Sequence, residues 1–303
     1  MNDKMKNLAV RTVSGLVLVA VMVGAVVWSP IALGALLALL LVGGIREFYA
    51  LARVKGSSPQ PVLGTALGLA LFGVVYALAQ WPHLGFVQLL FAGAVLLLLA
   101  VPVILICELY RRNPDPLASA GATLLGVWYV SLPLACVGLL AAPAVVGVPS
   151  GVWCPWAVIA YLVIVWANDV FAYLVGMACG RHKLFERLSP KKSWEGFFGG
   201  LAGAVLVGLL AARLLGGDLW LWGVVAAATS VAGVLGDLAE SMFKRAAGVK
   251  DSGRSIPGHG GVLDRFDAVL LSAPFAVVCI LFCRWVSEAV LLTCSLLLCH
   301  ENQ

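Results

Sequence analysis

Between Ser241 and Asp267 the sequence SMFKRAAGVKDSGRSIPGHGGVLDRFD gathers five bases, Lys244, Arg245, Lys250, Arg254 and Arg265, and three acids, Asp251, Asp264 and Asp267. Only 12% of the 303 residues are charged and 62% are hydrophobic, so charge at this density requires a reason. Guanidinium and ammonium groups match phosphate oxygens, and carboxylates suit a hard cation such as Mg²⁺. The turn Pro257-Gly258-His259-Gly260-Gly261 lets the backbone approach a ligand closely and adopt positive φ. His259, set between glycines, can contact phosphate there. Polyphosphate bound with a metal is the chemistry this combination suits. A solvated basic loop is the plainer description.

Three neighbouring constellations carry the same theme. Asp237, Glu240, Ser241 and Lys244 stack on one helical face by i, i+3 and i+4 spacing. Two acids one turn apart can hold a cation, with Asp264 and Asp267 supplied by the loop beyond; an ion pair from Asp237 or Glu240 to Lys244 is the alternative. In Trp166-Ala167-Asn168-Asp169-Val170-Phe171-Ala172-Tyr173, Asp169 shares a face with Ala172, Tyr173 and Gly176. A carboxylate inside a membrane helix is costly, so Asp169 should face a polar cavity or a basic neighbour. The stretch Ser189-Pro190-Lys191-Lys192-Ser193-Trp194-Glu195-Gly196 sets lysines and hydroxyls beside a helix start, as phosphate binding would require. It fits an interfacial anchor equally well, with Trp194 at headgroup depth and the lysines on anionic lipid.

The elements that must position these residues are membrane helices. Apolar runs at about 12–28, 31–51, 62–80, 86–107, 118–141, 153–177, 197–215, 219–242 and 266–287 are each long enough to be read as spans. The expected fold is an all-α, polytopic bundle of about nine transmembrane helices. A further apolar piece, 289–299, is too short to cross alone and either extends the ninth helix or lies at the interface. The basic N-terminus and first apolar run resemble a signal peptide, but no small-residue cleavage site follows, so 12–28 is read as the first span. With the N-terminus cytoplasmic, eighteen of the twenty bases fall on the cytoplasmic side and only Arg213 and Arg284 opposite, as the positive-inside rule requires. Loops 179–196 and 244–265 are then cytoplasmic, and 80–85 and 143–152 are external.

Residues 1–152 hold four carboxylates, Asp3, Glu47, Glu108 and Asp115, whereas nine of the fifteen lie between Asp169 and Asp267. The first half therefore reads as a transmembrane scaffold of about five helices. Residues 153–303, about four helices, read as the chemical half. The eight cysteines lie mostly within apolar runs without metal-ligand spacing and read as small apolar residues.

The loop also resembles the signature of the phosphatidate cytidylyltransferase (CDP-diacylglycerol synthase) family. The matching positions are Ser241, Lys244, Arg245, Lys250, Asp251, Pro257, His259, Gly260, Gly261, Asp264, Arg265 and Asp267. The Asp-x-x-Ala-Tyr-x-x-Gly pattern at Asp169 and the Ser-Pro-x-Lys-Ser-x-Glu-Gly pattern at Ser189 are similar to family patterns as well. The resemblance implies transfer of CMP from CTP to phosphatidate, giving CDP-diacylglycerol and pyrophosphate, at the cytoplasmic face of the inner membrane. It implies catalytic roles for Asp237, Asp264, Lys244, Arg245, Lys250 and Arg265. It implies substrate contacts from Asp169, Ser189, Lys191, Lys192, Ser193, Glu195, Ser241, His259, Gly260 and Gly261. Asp237 and Asp264 are the first metal ligands it implies, joined by Asp267 and Glu240. Mg²⁺ is the implied cofactor, and a second cation such as K⁺ is admitted. The implied partners are CTP, phosphatidate and membrane lipid, with no nucleic acid; a homodimer is allowed.

Other classes fit less well. A secondary transporter would show inverted repeats and acids near the bilayer midplane, and the sequence shows no repeat. There is no GxxxxGK[ST] loop for a soluble-type kinase and no GxSxG elbow for an esterase. A CTP-dependent lipid kinase is the nearest rival, since it needs the same triphosphate and metal site.

Overall fold

The computed structural model describes the backbone of residues 3–146, 152–256, 258 and 260–301. Side chains are described within 12–287 of that range, except at Pro82, Ala144 and Val146. Nine helices in this range correspond to the nine expected spans. They are α1 (Asp3–Trp28), α2 (Pro30–Val54), α3 (Pro61–Gln80), α4 (Phe86–Arg111) and α5 (Pro116–Leu139) in the first half. In the second half they are α6 (Trp156–Cys179), α7 (Trp194–Leu215), α8 (Leu219–Ala246) and α9 (Leu263–Glu301). Eight are long and apolar enough to cross a membrane, and the apolar part of α1, Thr12–Trp28, is slightly shorter. The protein is a polytopic all-α membrane protein.

Local chemistry sets the helix boundaries. Ser29, extended at φ −168°, accepts a hydrogen bond from Ala32 N at 3.1 Å, and Pro30 follows as the first helical residue. Asp115 caps α5 in the same way, with Pro116 next, and Ser193 and Asp218 cap α7 and α8. Gly216 ends α7 in the left-handed conformation at φ +68°. The last helix starts at Leu263 and runs to Glu301, so the apolar piece 289–299 extends the ninth helix, the first of its two expected placements. Within α5 a π turn at Val127–Ser131 precedes Pro133, which has no N–H to offer the carbonyl of Tyr129.

The main core joins α1, α2, α3, α5, α6 and α9, around fully buried Leu33, Leu41, Ile45, Tyr49, Leu134 and Tyr161. In α4 only 11% of its most apolar window is buried, so this helix is lipid-facing wall. α6, α7, α8 and α9 pack consecutively, each on the next. Small residues permit the close approach of α6 and α7: a Cβ on Gly200 would meet Asn168 and Ala172, and one on Gly203 would enter the Phe171 ring.

Between α6 and α7 the expected loop is a two-stranded antiparallel hairpin, β1 (Lys183–Phe185) with β2 (Ser189–Ser193). Leu184 and Leu188 seat it on Val234 and Leu238 of α8. Burying a leucine contributes roughly 1.5–3 kcal/mol, enough to fix a short hairpin against its helix. That contact carries Lys192 to the site.

Candidate active site

The C-terminal half of α8 presents Asp237, Glu240, Ser241 and Lys244 towards the start of α9. One carboxylate oxygen from each of Asp237, Glu240 and Asp267 lies within 4.8 Å of the other two. When ionised, each such pair repels by at least roughly 3 kcal/mol at an effective dielectric constant near 20. Glu240 is wholly buried, and its Oε1 has no hydrogen-bond partner among the described residues. A group of hard oxygen donors with one orphaned buried oxygen fits an Mg²⁺-type cation.

Two lysines flank this group. Lys192, from β2, contacts Asp237 Oδ2 at 2.6 Å, while Ser241 Oγ donates to Asp237 Oδ1 at 3.2 Å. Lys244 bridges Glu240 Oε2 at 2.5 Å and Asp264 Oδ1 at 2.7 Å. The close approach of Asp237, Glu240 and Asp267 and the alternative intrahelical pair from Glu240 to Lys244 therefore occur together. Asp264 adjoins Glu240 across Lys244, beside the three mutually close carboxylates. Its Oδ1 takes Lys244, and its Oδ2 accepts from Ser252 N at 2.9 Å, Ser252 Oγ at 3.0 Å and Gly261 N at 2.8 Å. Its carboxylate is already committed to a lysine and to the loop.

The loop is held from the other half of the chain. Glu47 of α2, 6% exposed, accepts from Ser255 Oγ at 2.6 Å and Val262 N at 2.9 Å through Oε1. Its Oε2 accepts from Ser252 Oγ at 3.1 Å and Leu263 N at 2.9 Å. A carboxylate on the first N–H groups of α9 is also favoured by the helix dipole. A Cβ on Gly261 would collide with Glu47 and Ser252, and Gly260 sits at φ +90°, so these two glycines are required by space and conformation respectively. Sequence reasoning placed Glu47 in the scaffold. The argument that singled out Asp169, the cost of a carboxylate in an apolar helix, applies equally to Glu47.

Beside the acidic group lies a cavity of about 350 Å³ between α6, the hairpin, α7 and α8, within the size range of small-molecule sites. Asp169, Tyr173, Lys191, Lys192, Ser193 and Phe197 line it, so the expected face of α6 and the two lysines do converge. Ser193 Oγ accepts from Gly196 N at 3.2 Å as the α7 cap. Ser189 and Glu195 are not on the lining. Glu195 braces the hairpin base, accepting from Arg181 N at 3.1 Å and sharing a 2.6 Å contact with His182 Nδ1. Arg245, Lys250, Arg254 and Arg265 are exposed, with Arg245 donating to the Val249 carbonyl at 3.0 Å. Pro257 and His259 lie outside the described residues.

The family model described as "Cytidylyltransferase family" matches residues 9–283. The chain belongs to that family. A phosphatidate cytidylyltransferase of Synechocystis sp. is 34% identical over 264 residues, 79% of this chain and 85% of the relative. A phosphatidate cytidylyltransferase of Staphylococcus epidermidis is 50% identical over 113 residues, 37% of this chain and 44% of the relative. One of Haemophilus influenzae is 48% identical over 119 residues, 37% and 41% respectively. In the latter two matches the chain spans less than half of the relative's length.

Proposed function

We propose that this cytidylyltransferase-family protein transfers CMP from CTP to phosphatidate, forming CDP-diacylglycerol and releasing pyrophosphate. The observation that carries the reading is the acidic group of Asp237, Glu240 and Asp267, joined through Lys192 to a cavity of small-molecule size within a membrane bundle. The names of the relatives supply the substrates.

A phosphate oxygen of the lipid attacks the α-phosphorus of CTP, and the bond to the bridging oxygen of pyrophosphate breaks. A phosphomonoester is largely ionised at pH 7, so no side chain must remove a proton. Asp237, Glu240 and Asp267 would hold Mg²⁺, which supplies charge neutralisation on the phosphates. Lys191 and Lys192 bind triphosphate oxygens at the cavity. Asp264 fixes Lys244 in place and orders the loop, and exposed Arg245, Lys250 and Arg265 receive the leaving pyrophosphate or the lipid headgroup. The distribution of bases supports a cytoplasmic location for this end of the bundle.

Purified protein supplied with phosphatidate and α-³²P-CTP should place label in lipid, whereas γ-³²P-CTP should label pyrophosphate. Label from γ-³²P-CTP in the lipid, with CDP released, would make the protein a CTP-dependent lipid kinase and refute the assignment.

A further inference from the structure

Two polar atoms near the acidic group have no hydrogen-bond partner among the described residues: Glu240 Oε1 and the hydroxyl of Tyr129. Tyr129 comes from α5, in the half of the chain otherwise read as scaffold, and sits in the π turn Val127–Ser131. Such turns redirect side chains out of helical register and recur at functional sites. Its ring is clamped by Phe48 of α2 at 5.7 Å and by Phe243 of α8 at 5.5 Å, nearly edge-on. Phe243 lies one turn beyond Glu240. The carboxyl groups within electrostatic reach of the hydroxyl are Glu240, Asp267 and Asp237, the same three that form the acidic group.

A shielded hydroxyl left unpaired costs about 1–3 kcal/mol, and packing alone would be served as well by phenylalanine between two other phenylalanines. We propose that Tyr129 is a positioning residue for the cation held by Asp237, Glu240 and Asp267. With the cation held, its hydroxyl would donate to Glu240 Oε1 or to a water molecule of that cation, and the aromatic clamp keeps the phenol near both. The inference rests on the metal reading of the acidic group. It adds a residue from the first half to the machinery.

Tyr129→Phe removes one oxygen and keeps the ring, so the aromatic clamp and the fold survive. Mn²⁺ serves as the probe, read in purified protein without nucleotide by electron paramagnetic resonance and by thermal stabilisation. Outer partners of metal ligands typically change affinity 10–100-fold. Half-saturating Mn²⁺ should rise about tenfold or more in the variant, and the cation concentration needed for CMP transfer should rise in parallel. The melting temperature without metal and the KM for phosphatidate should stay near wild type. Mn²⁺ dependence within about twofold of wild type would overturn the proposal, since a group hydrogen-bonded to a metal ligand should exceed that change. A lower metal-free melting temperature with unchanged Mn²⁺ dependence would overturn it too, assigning the hydroxyl to packing. If the wild-type protein and Asp267→Asn show equally little Mn²⁺ response, the metal reading itself falls, and this inference with it.

Discussion

Replacing Glu47 by glutamine tests whether the loop before α9 depends on the first half of the chain. The wild-type carboxylate accepts four hydrogen bonds, from Ser252, Ser255, Val262 and Leu263, in a site only 6% exposed. Glutamine has nearly the same shape, but one end becomes an NH₂ that must face a backbone N–H in either orientation, because Val262 N and Leu263 N bond to different oxygens. Glu47→Gln therefore loses one charge-assisted bond, worth about 1.5–3 kcal/mol, and leaves one N–H unpaired. About 3 kcal/mol in loop ordering corresponds to roughly a 100-fold fall in the ratio of ordered to disordered loop. Turnover of labelled CTP should fall, by as much as that factor. Hydrogen exchange should rise in residues 252–263 while α2 itself stays protected. Turnover within about threefold of wild type, with unchanged exchange in the loop, would refute the anchoring role, since even one lost bond should exceed that.

Other outcomes follow from the same geometry. Asp264→Asn should abolish turnover with membrane insertion intact, because Lys244 loses one of its two carboxylates; near-normal activity would remove Asp264 from the machinery. Lys192→Gln should lower kcat/KM for CTP by about 10–100-fold, on the order of one charge-assisted contact, measured by initial rates across CTP concentrations. In a background without native cysteines, a cysteine at position 250 should resist an impermeant reagent applied outside sealed cells, and ready labelling would reverse the proposed orientation.

The sequence makes the helices legible because their determinants are local. An apolar run, a capping Ser29 or Asp115 and a following proline act within one turn, so nine spans could be placed, most of them within a few residues. The face carrying Asp237, Glu240, Ser241 and Lys244 was equally legible, since helical periodicity alone aligns it. The hairpin was not, because Lys183–Phe185 and Ser189–Ser193 are short and mostly polar, and only seating on Val234 and Leu238 gives them a register. Nor could residue type reveal that Glu195 turns back to Arg181 and His182, or that Asp264 spends its oxygens on Lys244 and the loop. Glu47 reaches partners more than two hundred residues away, a separation across which spacing carries no information.

The glycine turn explains why such distant anchoring is needed. Ordering a residue costs about 1–2 kcal/mol of backbone entropy, and glycine loses the most. Residues 252–262 include Gly253, Gly258, Gly260 and Gly261, with no helix and only the bridge Ile256–Gly260 among their described residues. A loop of that composition cannot order itself. It is pinned at Ser252 and again at Gly261–Leu263 by two carboxylates, Asp264 from within and Glu47 from α2. Asp264 also grips Lys244, which in turn grips buried Glu240. Loop order and the charge state of the acidic group are thus coupled through one lysine, so a change at either end should be felt at the other. Glu47 is thus the link between α2 in the first half and the loop that leads into α9 in the second.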